Sequence, residues 1–297
     1  MKVKALILSL SFLFVFSFSS CDEDGNLDLT KLFTESDNAG GLKEALKVGT
    51  SNASKLLGAE DGYLKDQAVK ILLPENAQTT FKALDAAIDI IVGNDIVKLA
   101  VESILDVDIV GGVQNTLEIA FNRAAEEAAP AAVDVFVNTI TNMTISDATG
   151  ILFSSNNQAA TDYLHTNSYT GLQSAFNPII NESMKTVSVT IGSTPYNAID
   201  AWEYFAGYNN KLAVVISSST VKNAIDLAKT LRALSDSQIA TINSVKTIDT
   251  NLGDYVVGKA LDGIFIKVGV EEHKIRTDVS ARTTDILKDV FGQLDKQ

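Results

Sequence analysis

From Leu42 onward the chain places apolar residues with the 3.6-residue period of helices packed on a shared core. Leu42, Ala45, Leu46, Gly49, Ala53, Leu56 and Leu57 fall on one face, and Gly58 follows as a C-cap. A second apolar segment, Ala68 to Leu73, stops at Pro74, and Phe81, Leu84, Ala87, Ile88 and Ile91 carry the next helix to Gly93-Asn94. The helix Gln114 to Ala129 has a seam of Leu117, Ala120, Phe121, Ala124 and Ala128. Arg123 and Glu127 flank one side of it, and Glu118, Asn122 and Glu126 flank the other. Pro130 closes that helix or opens the next at its first position, and the next buries Val133, Phe136, Val137 and Ile140.

Further helices are predicted over Ser146 to Phe153, Asn157 to Thr170, Leu172 to Val187 and Tyr196 to Tyr208, with another from Lys259 to Arg276. Two stretches, about 94–113 and 213–250, lose the period; they read as excursions, the second carrying one helix near Val221 to Leu234. Residues 188–191 and 212–216 are β-branched enough for short strands, but neither alternates cleanly. The expectation is an all-α fold: an irregular multi-helix bundle over 41–292 with two inserted excursions.

The first twenty residues follow a different logic. Lys2 and Lys4 precede an apolar run from Ala5 to Phe18. Fourteen residues at 1.5 Å each span about 21 Å, short of the roughly 30 Å of a bilayer core, so the pattern is that of a signal peptide over 1–20. Phe18-Ser19-Ser20-Cys21 resembles the lipobox of bacterial lipoproteins, whereas Phe18 breaks the ordinary small-residue cleavage rule. Cys21 is the one cysteine of 297 residues and has no internal disulfide partner. The resemblance implies lipidation at Cys21, followed by a lipid-anchored acidic tether over 21–40. It puts the protein in the bacterial cell envelope with its membrane contact made through that anchor. Asp22-Glu23-Asp24 is similar to acidic signals that send lipoproteins to the outer face of the outer membrane. In other bacteria an aspartate after the cysteine retains the protein in the inner membrane, and any solvated tether is polar.

Charge narrows the partners. The chain carries a net −13, which becomes −15 once Lys2 and Lys4 leave with the signal. A polyanion of this kind repels phosphate backbones and anionic headgroups, so nucleic acid is not expected as a partner. A protein partner or a small ligand is compatible with the composition. Hydrophobic content of 46 % is enough for a real core, and with four prolines the chain does not read as disordered.

Several segments, in order, resemble a bacterial family known only as domain of unknown function 4197. They are Gly41-Leu-Lys-Glu-Ala-Leu-Lys-Val-Gly-Thr50, Ala68-Val-Lys-Ile-Leu-Leu-Pro74, Asn122-Arg-Ala-Ala-Glu126 with Ala129-Pro130, and Met143 to Leu152. Tyr255 to Phe265, Ala281 to Thr284 and Val290 to Gly292 complete the set. The resemblance spans about 40–292 and lapses over the two excursions. It implies export and a helical body, and it brings no activity, cofactor or catalytic residue with it.

The residues themselves add little chemistry. Neither a phosphate-binding glycine loop, a dinucleotide fingerprint nor a nucleophile-elbow serine occurs. His165 and His273 lack a histidine or cysteine at ligand spacing and read as surface or capping residues. No catalytic residue, metal ligand or cofactor is therefore assigned. One constellation stands out. With Leu261 at 0° on its helix, Glu272 falls at about 20°, inside the seam, and Arg276 near 60°, one turn on. A carboxylate on a buried face requires a partner. The plainer expectation is a structural salt bridge from Glu272 to Arg276 or Arg282. The sharper one is a polar pocket of Glu272, Arg276, Arg282 and Arg123 that holds a small ligand. The functional expectation is a non-enzymatic binding or scaffolding module; the alternatives are a hydrolase-type enzyme using the Glu272 cluster and a purely structural envelope protein.

Overall fold

The computed structural model describes residues 34–104, 113–293 and 295. Cys21, the signal peptide, residues 22–33 of the tether and the Gly111-Gly112 end of the first excursion lie outside the described residues. Helix α1 (Glu35–Leu57) begins within the segment expected to be tether. Its start is a reciprocal cap: the Asp37 N–H donates to Thr34 Oγ1 at 3.2 Å, and the Thr34 N–H donates to the Asp37 carboxylate at 2.9 Å. The Ala68 to Leu73 segment is not a helix. It runs with Val69, Ile71 and Leu73 buried and Leu72 exposed, and a side chain serves it as a strand neighbour would. The Ile71 N–H donates to Asn122 Oδ1 at 2.8 Å, and Asn122 Nδ2 donates back to the Ile71 carbonyl at 2.7 Å.

Helices α2 (Glu75–Val92), α3 (Asp95–Val101), α4 (Val113–Ala128), α5 (Ala132–Thr141) and α6 (Ile145–Leu152) follow, with Pro130 in a 3-10 turn between α4 and α5. Helix α7 (Ala159–Thr186) is continuous where two helices were expected. Gly171 interrupts nothing: a Cβ there would lie 3.0 Å from Val135 Cγ1, so glycine lets α5 approach. Strands β1 (Ser188–Ile191) and β2 (Thr194–Asn197) form an antiparallel hairpin that turns on Gly192, at φ 59°. The first strand suggestion therefore holds; the second, 212–216, lies in α8 (Ala198–Ile216). Helices α9 (Ser219–Thr230), α10 (Asp236–Ile242), α11 (Gly253–Thr277) and α12 (Asp285–Phe291) follow, and among the described residues the fold is all-α apart from the hairpin.

Helix α7 is central, packed against α4, α5 and α11, while α1 lies across α11, α5, α6 and α12. The two excursions meet each other. Helix α3 packs on α9, α10 packs on α2, and Asn94 Nδ2 donates to the Ala233 carbonyl at 3.2 Å. They are one helical layer beside α2 and α8, where Phe81 stacks on Phe205 with ring centroids 3.6 Å apart. The segments looked irregular because their helices are short and find their apolar partners across the chain.

Candidate functional site

Glu272 is buried on α11 and all its acceptor positions are engaged. Oε1 accepts from the Ala160 N–H at 3.1 Å and from Arg276 Nε at 2.9 Å. Oε2 accepts from the Thr161 N–H and from Thr161 Oγ1, both at 2.8 Å. Ala160 and Thr161 belong to the first turn of α7, whose own N-cap residue, Gln158, makes no side-chain capping bond. Glu272 supplies that cap from another helix, with its charge at the positive end of the α7 dipole. Arg276 does the converse. Its Nη1 and Nη2 donate to the carbonyls of Leu152 at 3.2 Å and Ile151 at 3.0 Å, the last turn of α6. Arg282 closes α11 by donating to the Ile275 and Arg276 carbonyls at 3.1 and 3.0 Å. It also pairs with Asp295, which holds that carboxyl below its usual range. The enclosed space beside Glu272, between Leu42, Ala45, Ala160 and Phe291, is about 10 Å³, room for one water at most.

Arg123 is not part of this group. It pairs with Glu126 at 2.6 Å and Asp61 at 2.8 Å, while Glu126 Oε1 accepts from the Tyr63 and Leu64 N–H groups, each at 3.1 Å. Tyr63 is fully buried and donates to the Ala260 carbonyl at 2.7 Å; burial, then the nearby Glu126 charge, pushes its phenol well above the usual value. The Lys65 ammonium, bonded to the carboxylate, and then Arg123 hold Asp61 below the usual range. This second network ties the α1–α2 connection to α4. Glu126 and Tyr63 were not singled out from sequence, although the polar stripe Glu118, Asn122, Glu126 beside an apolar seam was their signal.

Space for a ligand lies elsewhere, in a cleft of about 1050 Å³ between the start of α7 and the middle of α11. Its floor is Phe265, Ile266, Gly269 and Val270, with Ile266 and Val270 both exposed. His165 and His273 both stand on its rim, brought together from sequence positions more than a hundred residues apart. The His165 ring leans on Phe265 and Tyr169, with centroids 4.6 and 5.1 Å away. Of the other rim charges, Asp262 is paired with Lys259 and Lys274 with Glu271. Among the described residues no group of three His, Cys, Asp or Glu side chains is arranged to hold a metal ion. Among them, too, no helix is long and apolar enough to cross a membrane.

The model of one protein family, described as "Protein of unknown function (DUF4197)", matches residues 32–292. The chain belongs to that family. No curated protein and no solved structure matches it. The DUF4197 match starts just ahead of the Thr34 cap and runs past α12, so the caps, the Arg123 network and the cleft all lie within the family unit.

Proposed function

We propose that this DUF4197 protein is a lipid-anchored binding module of the bacterial envelope, without enzymatic activity of its own, that uses the α7–α11 cleft. The observation that carries this reading is the cleft itself, an open cavity with exposed Ile266 and Val270 on its floor. Glu272, the acid or base on which the hydrolase alternative rests, is saturated by donors and walled off from a ligand-sized space, which speaks against that alternative. The anchor rests on Cys21, the lone cysteine, at the end of the apolar leader. The acidic run Asp22 to Asp24 behind it supports the outer membrane as its destination.

Two measurements test the reading. The chain should take up labelled palmitate, and Cys21→Ala should move it to the soluble fraction; a wild-type chain that takes up no label, with a variant that stays membrane-bound, sinks the anchor. An environment-sensitive apolar dye should bind the wild-type protein, and Val270→Glu should abolish its signal without changing the melting temperature. Dye binding that ignores Val270→Glu removes the cleft from consideration.

A further inference from the structure

We propose that a second cavity, distinct from the α7–α11 cleft, is a binding site for a neutral sugar. It lies towards the other end of α7, where Asn177 and Asn181 line it together with Ile199, Trp202 and Glu203 of α8 and the start of α11. Its volume is about 400 Å³. The two cavities share no residue, and α7 advances roughly 18 Å from His165 in the cleft to Asn177. Trp202 carries the inference. Its side chain is buried, 2 % exposed, and its indole N–H has no hydrogen-bond partner among the described residues. Indole nitrogen can only donate, and a buried donor left unpaired calls for an explanation. Here the residue lines a cavity with room for an acceptor. The start of α11 repeats the pattern. Its N-cap residue, Leu252, makes no side-chain capping bond, and Leu252, Gly253 and Asp254 all line the cavity. The uncapped, positive end of a 25-residue helix is therefore part of the wall.

The lining selects the class of ligand. No lysine, arginine or histidine lines the cavity, whereas the exposed carboxylates of Glu203 and Asp254 do. On a chain of net −13, an anion meets two carboxylates here and no cation to offset them. A bare cation meets the indole N–H and the positive helix end instead. The carboxylate of a free amino acid would compete with Asp254 for the same helix end, again without a basic side chain to hold it. A hydroxyl suits both kinds of group, because it donates and accepts at one atom. It can give its proton to Glu203, Asp254 or Asn181 Oδ1 and accept from the indole or the α11 N–H groups. Asn181 already commits its amide N–H to the Asn177 carbonyl at 2.9 Å, which leaves Oδ1 as the acceptor. Several hydroxyls on one compact, uncharged ring make a sugar, whose C–H face would pack on Ile199 and Leu252. The volume is at the small end of the roughly 300–1,000 Å³ usual for small-molecule sites, which suits a mono- or disaccharide. Because the indole N–H is screened from bulk water, a side-chain rotation of the kind common on binding brings the hydroxyl to it.

Trp202 is the one tryptophan of the chain, so a single indole N–H resonance reports on this site. The test follows that resonance in the isotope-labelled full chain, held in a detergent without a sugar headgroup. D-glucose, D-galactose, N-acetyl-D-glucosamine and maltose are titrated in turn, with L-alanine and sodium sulfate as controls. At least one sugar should move the resonance downfield, saturably, as the N–H gains an acceptor, while both controls leave it in place. Glu203→Ala should weaken that sugar at least about tenfold. Its side chain is exposed, so the variant should melt like wild type. No saturable shift with any of these sugars, or one that Glu203→Ala leaves unaltered, overturns the proposal. A shift given by alanine or sulfate overturns it too, and makes the cavity an amino-acid or an anion site. Val270→Glu should leave the sugar response intact, so this site and the cleft stand or fall separately; a response lost in Val270→Glu would move the sugar to the cleft.

Discussion

At Glu272 a single carboxylate accepts four hydrogen bonds from three residues, and its partner Arg276 carries the complementary charge to a different helix end. A glutamine in its place cannot accept all four, and it leaves the Arg276 guanidinium buried without a counter-charge. Breaking a buried pair on one side costs about 3–5 kcal/mol. Glu272→Gln should therefore lower the urea midpoint by an amount in that range, with the slope of the transition unchanged. Because the two residues share one network, Glu272→Met/Arg276→Met should destabilise by less than the sum of the single changes. Additive losses would mean that each cap acts alone. The pairing itself was legible: periodicity put Glu272 in the seam and Arg276 one turn on. The capping was not, since Ala160 and Ile151 lie more than a hundred residues away and nothing in a one-dimensional pattern joins them. For the same reason Arg123 was grouped with the wrong carboxylate; Asp61, its partner, comes from a turn 62 residues earlier.

At the level of elements, glycine proved ambiguous, and the ambiguity can be measured. Gly258 lies within α11, and a Cβ there meets nothing within 4 Å. Gly41 lies within α1, where a Cβ would stand 2.7 Å from Val290 Cβ on α12. The same substitution should act in opposite directions. Gly258→Ala is expected to stabilise by about 0.5–1 kcal/mol through reduced freedom of the unfolded chain. Gly41→Ala is expected to destabilise by about 1–3 kcal/mol, because α12 must move off α1. Thermal melts of the two variants check this, and two shifts of the same sign would refute the packing argument. Sequence periodicity found the long amphipathic helices but read Gly171 as a boundary, since it cannot tell a glycine that stops a helix from one that admits a neighbour. It overlooked α3 and α10, seven residues each, which are too short to show a period and are stabilised by packing on α9 and α2.

Over the whole molecule, net charge and paired carboxylates act against each other as pH falls. At neutral pH the chain carries −13, and protonating exposed carboxylates relieves that self-repulsion. Asp66 opposes the trend. It is bonded to Lys267, the largest cause of its lowered pKa, and it also accepts from the Ala68 N–H, so it ties the α1–α2 connection to α11. A carboxyl whose folded pKa lies below its unfolded value contributes stability that is complete above the unfolded value, near pH 4, and is lost as pH falls through the folded one. Asp295 behaves in the same sense through Arg282. Stability should therefore hold or rise slightly from pH 7 to about 5 and fall below about pH 4. Asp66→Asn isolates one contributor: its deficit relative to wild type should be constant above about pH 5 and shrink towards zero in strong acid. Urea unfolding of both proteins across this range makes the comparison. A deficit that persists unchanged below the folded pKa would show that Asp66 acts through packing rather than charge, and the short acidic connection would then owe its place on α11 to Tyr63 and Glu126 instead.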